Sequence, residues 1–577
     1  MSLQSFLEEI HNSLHDKNGQ RIADLIHLDV ESLPPQRQQP YVQLNAELNS
    51  QWPASSDAQL LQRCKQEFSQ EEFGTFSSSF SDSIARYFRY LRDILTADNL
   101  TKALEIRQLT SQCVTALGDA RWGVVMIPIV LSFSRTLAFI ATKLDRNPQL
   151  IKQSARSDSS APRGGFVEDA ANVLRDAFIK CLAGSPGTPR TSRPQSDDKR
   201  VGIYLTANST LKLLFQCLKH RNAQQLFSSI DAQSPPLAFY PAAQRVSYLY
   251  YLGRYHFANN HFLRASAALS AAYTSCHREA TAHLRQILTY LLASNLILGL
   301  VPNVSLFSRA HAQALHPIFG PIISTIKSGD LGTFHALLSL PIPTSPTTAM
   351  TPNPIAAFLL RRRIHLQLLN RLTPLLWRTL IYRTFLISGY HATETTETRK
   401  IPFLRLPLAR AAARFSFTRA PIAPGTLPST APLDAEFADL DAALAETGFD
   451  LDTGAYSDAL IDSQPKPHPF APSAADDEQS PTLAEVESVF LSLIQQGLLR
   501  GFVLRNSPRF AVPGSVQRGG WRSGFPPVHR ALLTAQGAQE GRGLEGVEVP
   551  GWVKEGVAAG GGRVINLSGA RPVGATS

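Results

Sequence analysis

Acidic residues, cysteines and catalytic signatures are all scarce in this chain. It has 577 residues but only five cysteines, at Cys64, Cys113, Cys181, Cys217 and Cys276. They are odd in number, far apart, and form no CxxC pair. That spacing excludes a disulfide framework and a thiolate zinc site, and predicts buried thiols in a reducing compartment. The motifs H-E-x-x-H, G-x-x-x-x-G-K-[ST] and G-x-S-x-G are all missing. Cys276-His277-Arg278-Glu279 holds an H-x-E but lacks the downstream P-C-x-x-C of a zinc deaminase. His256 and His261 are five apart, with no carboxylate or thiol at ligand spacing. No enzyme, metal or cofactor is expected.

Long apolar runs are also lacking. The longest, Val124–Val130 with its neighbours, is interrupted by Pro128, Ser132, Ser134 and Arg135, and reads as too short to cross a bilayer. The start, MSLQSFLEEIHNSL, has neither the basic stretch nor the apolar core of a secretory signal. A soluble, intracellular protein with no membrane partner is the expectation. Charged residues make up 18% and hydrophobic residues 44%, enough for a sizeable core. Net charge is +10 with a pI near 9.4, an excess that favours acidic partners or nucleic acid.

The 39 prolines and 35 glycines crowd into a few stretches. Ser154–Gly165 and Gly184–Lys199 are polar and without periodicity, and read as flexible loops on either side of a helix in Phe166–Ala183. Arg399–Arg419 carries six basic residues and no acidic one, whereas Asp434–Glu478 carries twelve acidic residues and only Lys466. This break reads as a solvated, disordered insertion over about 416–480; the sharper reading is an acidic segment folding back on a basic surface. The Gly-rich tail, 531–577, is expected to be disordered.

Helical periodicity fills the remainder: Ser5–Leu14, Phe80–Leu95, Trp122–Leu144, Leu211–Phe227, Ala242–Ala258, Phe262–Ser275, Thr281–Leu300 and Ser305–Leu315. Leu252-Gly253, followed by His256, Ala265, Leu269 and Ala272, matches the tetratricopeptide pattern, with Gly253 and Ala265 as close-contact points between two helices. A lone repeat cannot bury its face, so its neighbours must stack on it. Asn353-Pro354 and Thr373-Pro374 each offer a helix start, predicting helices over Ile355–Arg371 and Leu375–Ser388, the latter closed by Gly389. Thr482–Gln496 is a further amphipathic helix ending at Gly497, a good left-handed closing residue. Leu498–Leu504 and Arg509–Val512 then read as two short strands. No run of strands suits a central sheet before residue 490. The expected class is all-α, a tetratricopeptide-like solenoid followed by a C-terminal winged helix.

Tyr250–Arg278, YYLGRYHFANNHFLRASAALSAAYTSCHR, resembles the signature of one PCI-domain family, with its YY-x-GR, F-x-x-A and CHR elements. Arg285–Leu292, Gly329-Asp330-Leu331, Leu493–Phe502 and Phe525-Pro526-Pro527 extend the likeness over roughly residues 1–530, minus the insertions. The family contains the PCI subunit of the second transcription-export complex and the twelfth, loosely associated signalosome subunit. The N-terminal FLEEIHNSLHDKNG and Trp122–Leu144 lean towards the signalosome branch. One departure is the separation of about 65 residues between the second and third helices of the expected winged helix, which are close in the family.

The resemblance implies a non-catalytic scaffold of a nuclear complex coupling transcription or processing to mRNA export, found in nucleus and cytoplasm. Its implied partners are a larger scaffold subunit, a small acidic protein, and RNA or DNA. The alternative is a peripheral signalosome subunit linked to cullin deneddylation, without nucleic acid. The expected organisation is an N-terminal helical region (1–150), a helix between flexible loops (151–200), a helical-repeat part (201–350), a winged-helix part with the insertion (351–530), and the tail. Arg500, Arg505, Arg509, Arg518 and Arg522 are candidate phosphate contacts, with Phe502, Phe510 and Trp521 as stacking aromatics; the bland reading is core aromatics and a solvated face. Arg361, Arg362, Arg363 and Arg371 are candidate partner contacts, since three adjacent arginines span most of a helical turn and at least one must face a partner or the core.

Overall fold

Phe6, Ile10 and Leu14 recur at four-residue spacing and are all buried on the first helix, α1 (Leu3–His15), whose N-terminus is capped by the Ser2 side chain. The same rule builds the rest of this computed structural model. It describes residues 2–28, 34–93, 99–145, 166–184, 193–195, 198–216, 220–339, 353–388, 401–418, 481–513 and 521–535. Ser154–Gly165, most of Gly184–Lys199, Cys217, Gly389, Arg518, residues 419–480 and the tail beyond 535 lie outside them.

Among the described residues the architecture is all-α, with three short strands. After α1 come α2 (Gly19–Leu25), α3 (Pro35–Gln51), α4 (Asp57–Glu67), α5 (Gln70–Phe73), α6 (Thr75–Asp93), α7 (Asn99–Leu117), α8 (Met126–Asp145) and α9 (Phe166–Ala183). Pro128 falls in the first turn of α8, where a missing N–H costs nothing, so the chain runs unbroken through Ser132, Ser134 and Arg135. This corrects the reading of a run too short to span a bilayer: Gly123–Ala141 is long and apolar enough by length and composition, with a mean hydropathy of 2.0. Its Ile129, Val130, Phe133 and Leu137 are buried against neighbouring helices.

Next in the chain come α10 (Ile203–Gln216), α11 (His220–Gln233), α12 (Ala242–Ala258), α13 (Phe262–Ser275) and α14 (Thr281–Ile297), each packed on its neighbours in turn. Ala265, Ala268 and Ala272 of α13 are buried, and Gly253 of α12 lies opposite Leu269. Arg254 is buried under three aromatic rings, its guanidinium 5.0 Å from the centroid of Tyr290, 5.1 Å from Phe215 and 5.5 Å from Tyr250. A cation so enclosed is held by ring faces (cation–π) in place of water. The expected helix at Ser305–Leu315 is instead a short 3-10 turn and α15 (Ala310–Gln313), followed by α16 (His316–Ser328) and α17 (Leu331–Leu338).

The chain then makes α18 (Pro354–Arg361) and α19 (His365–Ser388). The helix expected over Ile355–Arg371 breaks at Arg362-Arg363, because Arg363 sits in the left-handed region at φ 57°. Pro374, expected at a helix start, lies inside α19. Burial of Leu368, Leu372, Leu375 and Leu376 around it outweighs the missing hydrogen bond. Next come β1 (Phe403–Arg405), α20 (Leu406–Thr418), α21 (Leu483–Gln495), β2 (Phe502–Leu504), β3 (Arg509–Ala511) and α22 (Val528–Ala535). The helix α20 continues to Thr418 and α22 to Ala535, into stretches assigned to the insertion and the tail.

Candidate functional site

The three strands form one antiparallel sheet in the order β1-β3-β2, with Leu404 opposite Phe510 and Val503 opposite Phe510. Alternation along each strand puts Leu404, Val503 and Phe510 on the inner face. There Phe510 lies 5.4 Å from Phe490 of α21 and 6.2 Å from Phe525. The outer face carries Phe403, Arg405, Arg509, Phe502 and Leu504. A Thr482–Glu485 capping box fixes the start of α21, and Gly497 at φ 74° turns the chain out of it into the strand. Among the described residues no atom beyond its chain neighbours lies within 4 Å of where a Cβ on Gly497 would project, so the left-handed backbone is what favours glycine there.

Arg378 of α19 ties this unit together. Its Nε donates to the Leu498 carbonyl at 3.3 Å and Nη2 to the Pro526 carbonyl at 2.6 Å. Burial lowers its pKa from the ordinary value, the Tyr382 phenol acting against it. Trp521 and Phe525 pack on Tyr382 and Phe385 of the same helix.

The hairpin arginines stand around this frame. Arg505 projects from the β2–β3 turn with its side chain 91% exposed, 3.9 Å from the Glu487 carboxylate. Arg500 is exposed, its backbone N–H bonded to the Gly524 carbonyl at 2.9 Å. Arg509 is half-buried, its guanidinium 4.8 Å above the Phe403 ring. Arg522 is exposed and lies 5.6 Å from the Trp521 ring centroid. Of the three aromatics considered for stacking, Phe510 is core and Trp521 is packed on α19. Phe502 alone of them is a surface residue, 41% exposed.

The arginines before the sheet do not share one face. Arg361 is exposed at the end of α18, and Arg362 is buried beside Phe358 while its carbonyl accepts from the Tyr290 hydroxyl at 3.1 Å. Arg363 forms the left-handed turn, and Arg371 is exposed 5.8 Å from the Phe262 ring. Of the four, Arg361 and Arg371 present the exposed side chains a partner would meet.

Charge composition isolates this unit more sharply than any single residue. Its described stretches hold six arginines in 353–388, three in 401–418, three in 481–513 and two in 521–535, with no lysine. Against these fourteen stand two acids, Glu485 within the capping box and Glu487 beside Arg505. Arg383, Arg410 and Arg414 are exposed members that motif reading passes over. The signal for them is the scarcity of acids in the described stretches between residues 353 and 418. Arginine presents a planar fork of donors suited to phosphate oxygens and to stacking, which lysine does not.

Other polar chemistry in the described residues is inward. Burial pushes the thiols of Cys64, Cys113 and Cys181 up to about 12, far from reactive thiolate. His256 is 3% exposed, with no hydrogen-bond partner for either ring nitrogen.

No family model matches the chain. It is 25% identical over 401 residues to a PCI domain-containing protein of Schizosaccharomyces pombe, covering 68% of this chain and 81% of that one. It is 23% identical over 331 residues to PCI domain-containing protein 2 of Xenopus laevis, covering 57% and 72%. It is 25% identical over 303 residues to a protein of Neurospora crassa named a CSN12 homolog, covering 50% and 62%. These relatives support a PCI family.

Proposed function

We propose that this chain is a non-catalytic scaffold subunit of a PCI-type complex, whose stacked helices hold a larger scaffold subunit and whose C-terminal winged helix turns an arginine face towards nucleic acid. The winged-helix reading is supported by the order helix, strand, helix, helix, hairpin from α19 to β3, and by the antiparallel β1-β3-β2 sheet. The tetratricopeptide-like reading is supported by the close Gly253–Leu269 approach between consecutive helices. The observation that carries nucleic-acid contact is the excess of arginines over acids in the C-terminal unit, fourteen against two, with Arg362 and Arg378 turned inward and the remainder at least partly exposed. Sequence-independent binding to phosphates needs such an excess on one unit. The complex is a nuclear one coupling transcription or processing to mRNA export. Arg361 and Arg371 face a small acidic partner, and the chain distributes between nucleus and cytoplasm.

Relatives named CSN12 homologs favour a second reading, a peripheral signalosome subunit linked to cullin deneddylation, without nucleic acid. Affinity purification of the tagged chain from cells, read by quantitative mass spectrometry, separates the two. Recovery of an export scaffold with a small acidic protein is the expected result. Recovery of signalosome subunits without them would overturn it in favour of the second reading.

A further inference from the structure

The outward face of α20 is both basic and apolar, an unusual pairing for a helix turned to solvent. Leu408, Ala411 and Phe415 recur at i, i+3 and i+7 and are exposed, Phe415 by 72% and Leu408 by 39%. Exposed Arg410 and Arg414 run along one side of that stripe. Both ends of residues 419–480 root here. Thr418 closes α20, and the Pro481 carbonyl, where the described chain resumes, accepts from Arg410 Nε at 3.0 Å.

Within that intervening sequence, Asp434–Glu446 reads DAEFADLDAALAE. Phe437, Leu440 and Leu444 recur at i, i+3 and i+7, the same spacing as the exposed stripe on α20. Glu436 and Asp441 flank them on either side of a helical wheel. Asp434 is a good N-cap, and Gly448 follows as a stop. The pattern is the charge inverse of α20: acids beside an apolar stripe, against arginines beside an apolar stripe.

We propose that Asp434–Glu446 docks in cis on the outward face of α20, setting Phe437, Leu440 and Leu444 on Leu408, Ala411 and Phe415. Glu436 or Asp441 then lies beside Arg410 and Arg414. The fifteen residues between Thr418 and Asp434 reach up to about 55 Å when extended, more than twice the length of α20, so the tether permits it. A short tether gives an effective concentration on the order of millimolar, so a weak contact suffices. Exposed ion pairs alone contribute little. Apolar burial on Phe415 supplies the attraction, and the charges choose orientation and reject other apolar segments. This docking does not rest on nucleic-acid contact: it stands or falls whichever complex the chain serves.

Hydrogen exchange read by mass spectrometry on the full chain tests it. In the wild type, amides of 436–446 are expected to exchange roughly tenfold more slowly than in the Arg410→Glu/Arg414→Glu variant. High salt should narrow the difference. Phe415→Ser should also release the segment. Glu436→Arg/Asp441→Arg should release it as well, and should restore protection when combined with the Arg410→Glu/Arg414→Glu pair. Because that second pair lies in the segment itself, its effect does not depend on α20 tolerating substitution. Random-coil exchange of 436–446 in the wild type would overturn the proposal. So would protection that survives every variant, which would place the segment elsewhere. Protection that grows with protein concentration would overturn it by showing contact between copies.

Discussion

A Cβ placed on Gly253 would lie 2.5 Å from Cγ of Leu269 and 2.8 Å from its Cδ2. A side chain at position 253 would therefore force Leu269 of α13 to shift. Both residues lie inside the Tyr250–Arg278 stretch that carries the family resemblance. Gly253→Leu should overfill the contact and lower stability by about 1–3 kcal/mol. Thermal or urea unfolding of the purified variant measures this, and an unchanged midpoint would mean that the helices part at no cost.

Lys199 is 3% exposed, and its Nζ donates to the carbonyls of Gly118 at 3.3 Å and Asp119 at 2.9 Å, beyond the end of α7. Those carbonyls follow the helix terminus and have no helical partner there. Lys199→Met keeps the aliphatic stem and removes the donor. A destabilisation of about 1–3 kcal/mol is expected, read as a lower urea midpoint. A midpoint equal to wild type would show that water caps α7 equally well.

These two residues mark what the sequence makes legible. Gly253 is visible because its spacing to Ala265, Leu269 and Ala272 marks a close approach of two helices. Lys199 reads as the polar end of a proline-rich loop, since nothing local shows that its partners lie some eighty residues earlier. Strand β1 is illegible for a similar reason: three residues carry no periodicity, and its partner β3 lies beyond residues 419–480. Thr373-Pro374 looks like a helix start because the pair satisfies local rules, and only the burial of Leu372 and Leu376 keeps the helix running. In the candidate site, the hairpin arginines are evident from their spacing. The ring under Arg509, Phe403, and the inward turn of Phe510 follow from strand pairing alone.

His256 is buried without a hydrogen-bond partner, and burial first, then Arg264 and His261, lower its pKa from 6.5 to about 4. The unfolded chain thus binds a proton that the folded chain rejects. Its contribution is complete above about pH 6.5 and fades progressively as pH falls towards 4, by about 3 kcal/mol at the lower end. His256→Phe removes this effect and an unsatisfied polar group. The variant should match or exceed wild-type stability at neutral pH, with an advantage that widens on acidification. Parallel pH–stability curves for the two proteins would contradict the assignment.

The arginine face is tested most directly by reversing its hairpin. Arg500→Glu, Arg505→Glu and Arg509→Glu together change three charges around β2 and β3 while the inner face of Leu404, Val503 and Phe510 stays intact. The Arg505 side chain is 91% exposed and Arg500 is exposed too, so helical content and partner binding should persist. The measurement is nucleic-acid affinity against salt concentration, for the chain bound to its scaffold. Weaker binding is expected for every sequence tested, with a slope of log affinity against log salt reduced by about 0.7–0.9 for each phosphate no longer neutralised. An unchanged affinity with an unchanged slope would contradict the nucleic-acid role, and leave a subunit that binds only protein.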